Sequence, residues 1–253
     1  WVGLMQIRDD LKLRIGINIK RHADGTWHGT LDSPDQMAFD IPLDSVDIDG
    51  ISLYAEQRQA KASFMGAYNS ATQQLEGAWT QGGQTIPLNL VRSNKAAPPC
   101  RPQEPKPPFP YKSENVFFTN AKATARLAGT LTYPSEGTKF PAIVLISGSG
   151  AQDRNEEILG HKPFLVIADF LTRQGFAVLR YDDRGTGKST GDFAGATTYD
   201  FVDDAAAAVA FLQKDSRIDK KRVGVLGHSE GGMVAPLLAV KNKSVAFVVL
   251  LAA

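Results

Sequence analysis

Val223-Gly224-Val225-Leu226-Gly227-His228-Ser229-Glu230-Gly231-Gly232-Met233-Val234-Ala235-Pro236-Leu237-Leu238 decides how this chain is read. Apolar residues and glycine lead in, a Gly-x-Ser-x-Gly turn follows, and a mostly apolar run leads out. That order predicts a buried strand, a sharp turn and a helix, with Ser229 on the turn. A serine so placed lifts its hydroxyl above the end of a sheet, where it can act as a nucleophile. Glycines must flank it, because strand and helix crowd together around the strained serine backbone.

The five-residue pattern alone is weak evidence, since Gly187-Lys188-Ser189-Thr190-Gly191 fits it too. Context separates them. Ser189 follows the polar Asp182-Asp183-Arg184 and precedes Gly191-Asp192, so no strand leads in and no helix leads out. Ser229 is the candidate nucleophile. Two nucleotide-binding readings fail on spacing. A phosphate-binding loop ending at Gly187-Lys188-Ser189 needs a glycine where Asp182 stands, and a dinucleotide fingerprint begun by Gly148-Ser149-Gly150 needs one where Asp153 stands.

Outward from the serine, strand and helix patterns alternate. Residues 142–147, 176–181, 222–226 and 245–251 are apolar, β-branched runs, as parallel strands buried on both faces read. Phe164, Ile167, Ala168 and Leu171 predict a helix capped by Gly175. Phe201, Ala205, Ala208, Val209 and Leu212 give a second apolar helix face, and Val234, Leu237 and Leu238 a third. A hairpin-like pair at 115–119 and 124–132 precedes them. The expectation for 113–253 is the front portion of an α/β domain, a mostly parallel sheet flanked by helices and incomplete at its C-terminal end.

The first 92 residues follow a different grammar. Leu11, Leu13, Ile15, Ile17 and Ile19 alternate with Lys12, Arg14, Gly16, Asn18 and Lys20, a strand with one buried face. Ile86, Leu88 and Leu90 repeat the pattern. Turn signals recur at Asp24-Gly25, Asp49-Gly50 and Gly82-Gly83, between aromatic segments around Trp27, Phe39, Phe64 and Trp79. Residues 1–92 are therefore expected to form a small antiparallel all-β domain, a meander curled into a barrel or sandwich, with its edges closed or covered. Seven of the fourteen prolines fall within 98–110, so 93–112 reads as a semi-rigid linker. A proline-rich ligand for a recognition domain is the alternative.

Bulk properties narrow the function. Hydrophobic residues make up 43% and charged residues 22%, which excludes a disordered chain. The net charge of +1, without a basic stripe, argues against nucleic acid as a partner. The apolar run at 245–253 is too short to span a bilayer. The single cysteine, Cys100, excludes an internal disulfide and is read as an exposed thiol without a task. His22, His28, His161 and His228 show no paired ligand spacing, so neither a metal nor another cofactor is expected. The chain opens at Trp1 without a Met, so an exported or periplasmic location is placed ahead of a cytoplasmic one.

Three landmarks now stand in order, each after a predicted strand. They are Ser147-Gly148-Ser149-Gly150, then Asp182 through Ser189, then Gly227-His228-Ser229-Glu230-Gly231-Gly232. In order and spacing this resembles the α/β-hydrolase family, in particular its bacterial esterase and serine-aminopeptidase-like branch, some members of which carry an N-terminal β accessory domain. The resemblance covers about residue 113 to the end. It implies that Ser229 attacks an acyl carbonyl and that backbone N–H groups hold the oxyanion, one from Glu230 and one from Ser149. Asp182, Asp183 and Arg184 are expected to brace the loop structurally. His228 is expected to pack and hydrogen-bond beneath the elbow, and His161 to begin a helix as a surface or capping residue.

In such a fold the order is serine, acid, histidine. After Ser229 the chain offers only Glu230 as an acid and no histidine. The triad acid and histidine are therefore expected downstream of residue 253 or on another chain, which would also complete the sheet. The strand at 245–251 would otherwise keep an open edge, an aggregation hazard for the isolated chain. A carboxylic ester hydrolase acting on small acyl substrates leads, ahead of a serine aminopeptidase or peptidase and then a thioesterase; the partner is thus a small ester or short peptide. A reading of another class is a binding module whose hydrolase domain is incomplete and inactive. In that case the β region recruits a carbohydrate, lipid or protein, although Trp27 and Trp79 read as core.

Overall fold

The computed structural model describes residues 1–93, 99 and 101–253. Cys100 and part of the expected linker lie outside the described residues. The chain divides into two compact units, Trp1–Cys100 and Arg101–Ala253.

The first unit is one antiparallel sheet of β1 (Val2–Arg8), β2 (Leu11–Arg21), β3 (Trp27–Ser33), β4 (Ala38–Pro42), β5 (Ser45–Asp49), β6 (Ser52–Gln57), β7 (Ala62–Asn69), β8 (Gln74–Gln81) and β9 (Gln84–Val91). The order is β4-β3-β2-β1-β9-β8-β7-β6-β5. It is a meander, as the alternation predicts, but its first and last strands are neighbours, with Val2 opposite Val91 and Gly3 opposite Leu90. The two end strands, β4 and β5, follow one another in the chain. Their connection turns back onto β3, where Leu43 N–H donates to Gly29 O at 3.0 Å. The sheet is thus curled around one core that includes Ile15, Ile17, Leu31, Leu53, Phe64, Trp79, Leu88 and Leu90. Trp79 is core. Trp27 is half-buried, with the Arg21 guanidinium 5.6 Å over its ring.

The second unit begins earlier than the expected hairpin. Arg101 donates to Leu159 O at 3.1 Å, Lys162 Nζ lies 3.3 Å from Glu104, and the Phe109 ring stacks on Tyr111. Side chains rather than backbone ladders thus anchor this proline-rich stretch. Tyr111 and Lys112, read as linker, already belong to β10 (Tyr111–Asn120), which pairs antiparallel with β11 (Ala125–Pro134).

The parallel strands are β12 (Phe140–Ile146), β13 (Ala177–Tyr181), β14 (Ile218–His228) and β15 (Val248–Leu251), and the sheet order is β10-β11-β13-β12-β14-β15. Strand β14 starts before the expected 222 because a bulge absorbs the polar run from Asp219 to Arg222 between two paired stretches. Strand β15 starts after the expected 245. Before it, Ala246 N–H bonds Val223 O and Phe247 O accepts from Val225 N–H, so these residues track β14 as an irregular lead-in.

The helices are α1 (Pro163–Arg173), α2 (Thr198–Lys214) and α3 (Gly231–Lys241). Side chains of β12 alternate between the two faces. Ala142, Val144 and Ile146 pack with Val202, Ala205, Val209 and Leu212 of α2 and Val234 and Leu238 of α3. Ile143 and Leu145 pack with Phe164 and Ala168 of α1. Full burial of a side chain such as Phe164 contributes about 2 kcal/mol. After β12 the chain passes to β13 on one side of it and then to β14 on the other. The C-terminal ends of β12 and β14 therefore flank the point where winding reverses, the place where open α/β sheets form a crevice.

Candidate active site

Ile146 at the end of β12 lies in register with Gly227 of β14. The loop that begins at Ser147 and the turn that carries Ser229 thus start side by side. Ser229 has φ +49°, left-handed for a residue with a side chain, between the strand and α3. Its N–H donates to Leu251 O at 3.0 Å and its carbonyl accepts from Gly232 N–H at 2.8 Å, which locks the turn. The side chain is exposed, and its hydroxyl has no hydrogen-bond partner among the described residues. A Cβ on Gly227 would overlap the Gly231 carbonyl, and one on Gly231 would overlap the Ile146 carbonyl. Both glycines are steric requirements of the turn.

The loop after β12 lies against Ser229, since a Cβ on Gly148 would sit 3.2 Å from the Ser229 Cβ. A crevice lined by Ser147, Gly148, Gly150, Asp183, Phe201 and Glu230 brings this loop and the start of α3 together. The Gly148 N–H is engaged, donating to Glu156 Oε1 at 2.6 Å. The N–H groups of Ser149 and Glu230 have no partner among the described residues. The Glu230 side chain turns aside to accept from the Thr198 hydroxyl at 3.1 Å. Two free donors beside an unpaired hydroxyl can stabilise negative charge developing on a carbonyl oxygen.

Three buried carboxylates hold the loop. Asp183 accepts from the Ser147 hydroxyl at 2.8 Å and from Gln152 N–H at 3.0 Å. Burial pushes its carboxyl up to about 7, against those two hydrogen bonds. Asp182 takes Arg154 in a fork, at 2.9 Å from Nε and 2.7 Å from Nη2, and also accepts the Arg154 and Lys188 N–H groups. Burial works to raise Asp182, but these partners hold it below the ordinary carboxylate range. Glu156 is the third. Its Oε1 meets both Gly148 N–H and His228 Nδ1, the latter at 2.8 Å.

Arg184 turns away from the crevice to the buried Asp204 at 2.7 Å and to Asp200 at 3.3 Å. Ser189 is buried, its hydroxyl donating to Asp182 O and accepting from Ala128 N–H, and so cannot serve as a nucleophile. His161 is exposed and does not begin the helix. It sits in a bridge with Ile158, and Lys162 stands at the cap of α1, because Pro163 takes the first helical position. His22 and His28 lie with ring centres 4.2 Å apart, tilted by 42°, in the first unit. Among the described residues no histidine hydrogen-bonds Ser229, and no cluster of His, Cys, Asp or Glu is placed to hold a metal ion. No helix among them is long and apolar enough to cross a membrane. Sequence reading missed Glu156 and Arg154, which carry no motif and pair with residues 72 and 28 positions away.

The model of the family described as serine aminopeptidase, S33, matches residues 162–253. Esterase EstD of Thermotoga maritima is 38% identical over 118 residues, which is 47% of this chain and 28% of the esterase. The uncharacterized protein PA2218 of Pseudomonas aeruginosa is 28% identical over 193 residues, 74% of this chain and 50% of that protein. Its crystal structure covers 56% of this chain and 42% of its own, with a TM-score of 0.48. The matched part of the chain thus spans half or less of the length of these relatives. In strand order and in the turn at Ser229 the second unit has the α/β-hydrolase fold, preceded by an antiparallel β domain, and its sequence is similar to the bacterial esterase and serine-aminopeptidase-like proteins of that fold.

Proposed function

We propose that the chain is part of a serine hydrolase that cleaves carboxylic esters of small acyl substrates through an acyl-enzyme on Ser229. One observation carries the reading: an exposed, unpaired serine hydroxyl on a left-handed strand-to-helix turn, beside two unengaged N–H groups. Ser229 Oγ bonds to the acyl carbon as its proton passes to a base, and the carbonyl electrons move onto oxygen. Ser149 and Glu230 N–H donate to that oxyanion. The ester C–O bond then breaks, the alcohol leaves with the proton, and water cleaves the acyl-enzyme to restore Ser229. The base is a histidine, oriented by an acid, and residues outside 1–253 supply both. That EstD is an esterase supports an ester substrate. The match to a serine-aminopeptidase family favours a peptide with a free amino end as the second reading.

The test is fluorophosphonate labelling with peptide mass spectrometry, on the full-length protein and on residues 1–253. Turnover of short-chain p-nitrophenyl esters is compared with that of aminoacyl anilides. The expected result is labelling of Ser229 in the longer protein alone, with ester turnover abolished in Ser229→Ala. Unchanged turnover in Ser229→Ala overturns the reading. Rapid labelling of 1–253 would instead make His161 or His228 the activating base.

A further inference from the structure

Glu156 has a side chain only 6% exposed and a left-handed backbone, φ +52°. It is wound into place by Asp153, whose carbonyl accepts the Glu156 N–H and whose Oδ1 accepts the N–H groups of Asn155 and Glu157. The turn turns the Glu156 carboxylate inward, and both of its partners adjoin the proposed reaction centre. Gly148 directly precedes Ser149, the proposed loop donor. His228 directly precedes Ser229. One oxygen, Oε1, takes the first at 2.6 Å and the second at 2.8 Å.

We infer that Glu156 is a positioning residue that sets the spacing between the oxyanion donor of the loop and the nucleophile turn. The inference rests on the reading of Ser229 as nucleophile. Donors stabilise an oxyanion only when held within a few tenths of an ångström of it, and a displacement of about 1 Å can cost on the order of a hundredfold in rate. Loop and turn leave strands paired only as far as Ile146 and Gly227, and that ladder does not reach Gly148 or Ser229. The Glu156 oxygen joins the two, through Gly148 on one side and the His228 ring on the other. Engaging the Gly148 N–H leaves the free donors of the loop to the amides after it, Ser149 first. Glu156 itself touches no substrate, so its loss should alter the speed of acylation and leave ground-state binding nearly intact.

The experiment uses the full-length protein and p-nitrophenyl butyrate, with rates normalised to folded fraction by circular dichroism. Glu156→Ala is expected to lower kcat by about a hundredfold, with KM within about threefold, and to slow fluorophosphonate labelling of Ser229 in step. Glu156→Gln keeps an oxygen that can accept from both partners, and should recover most of the rate. A Glu156→Ala rate per folded molecule within about twofold of wild type, or a loss confined to KM, overturns the inference. If Glu156→Ala does not fold, a double-mutant cycle of Glu156→Met, which fills the space without accepting from either partner, with His228→Ala decides. Effects on kcat that fall short of multiplying support one shared bridge, and effects that multiply in full overturn it. Turnover that survives Ser229→Ala removes the catalytic reading itself. A required Ser229 with an indifferent Glu156 removes this inference alone.

Discussion

Gly227 and Gly231 stand so close across the serine turn that a Cβ on the first would overlap the carbonyl oxygen of the second. The conflict is backbone against side chain at its root, so no rotamer change relieves it. Either strand β14 or the start of α3 must shift, and both are locked into the core by Val225, Val234 and Leu238. Gly227→Ala is therefore expected to cost about 3 kcal/mol or more in urea unfolding of the full-length protein. Gly175, by contrast, has a positive φ, +95°, and open space around it. There, alanine should cost only about 1 to 2 kcal/mol, from backbone strain alone. Equal losses at the two positions would contradict a steric role for Gly227.

Asp183 gives a pH dependence with a definite sign. Burial raises its carboxyl to about 7 in the folded state, while the unfolded chain titrates it in the ordinary carboxylate range. The folded state therefore binds the extra proton between those two values. The stabilising contribution is full below the unfolded value and is lost as pH rises through about 7. Asp183→Asn mimics the neutral acid, since an amide can accept from Gln152 N–H and donate to the Ser147 hydroxyl. Its unfolding free energy relative to wild type should rise from about pH 5 to about pH 8, because only the wild type ionises. A constant difference across that range would refute the raised value.

Arg184 and Asp204 form a pair with side chains 6% and 2% exposed, 2.7 Å apart, and Asn120 donates to the other Asp204 oxygen at 2.7 Å. Arg184→Met leaves a carboxylate buried without its cation and should destabilise by about 3 to 5 kcal/mol. Lys122 meets Asp203, on the same helix, at 2.8 Å, but the lysine is 76% exposed. Solvent screens that pair, so Lys122→Ala should change stability by no more than about 0.5 kcal/mol. Denaturant titration of both variants distinguishes the two cases, and similar losses would mean the buried pair is solvated in solution.

The serine turn was legible because its chemistry forces a local pattern: glycines where backbones collide, an apolar strand before them and an apolar helix after. The places of the parallel strands along the chain followed from the same local alternation, though not their order in the sheet. What remained hidden depends on residues far apart in the chain. The pairing of β1 with β9 leaves no trace in either strand, because Val2 and Val91 are ordinary alternating residues. The bulge in β14 was concealed by its charged residues, which interrupt the apolar run although the strand continues through them. Glu156 looked like one acid in a polar loop until the fold placed Gly148 and His228 on the same oxygen. Ser149 and Glu230 were expected as donors from the resemblance, but which loop amides are left without partners required coordinates.

Ser229 itself should carry a measurable cost to the fold. At φ +49° its Cβ crowds the backbone, a conformation that costs a residue with a side chain about 1 to 2 kcal/mol. Ser229→Ala keeps that strain and removes a hydroxyl that is exposed and has no partner among the described residues, so its stability should stay within about 0.5 kcal/mol of wild type. Ser229→Gly removes the strain but gives back about 0.5 to 1 kcal/mol through the freer unfolded chain. The glycine variant should therefore exceed the alanine variant by about 0.5 to 1 kcal/mol, read as a higher thermal midpoint of the full-length protein. Both variants lack the Ser229 hydroxyl, so the comparison reports on the backbone alone. If the alanine variant is the more stable, the turn is unstrained, and the positive φ is simply the conformation this sequence prefers.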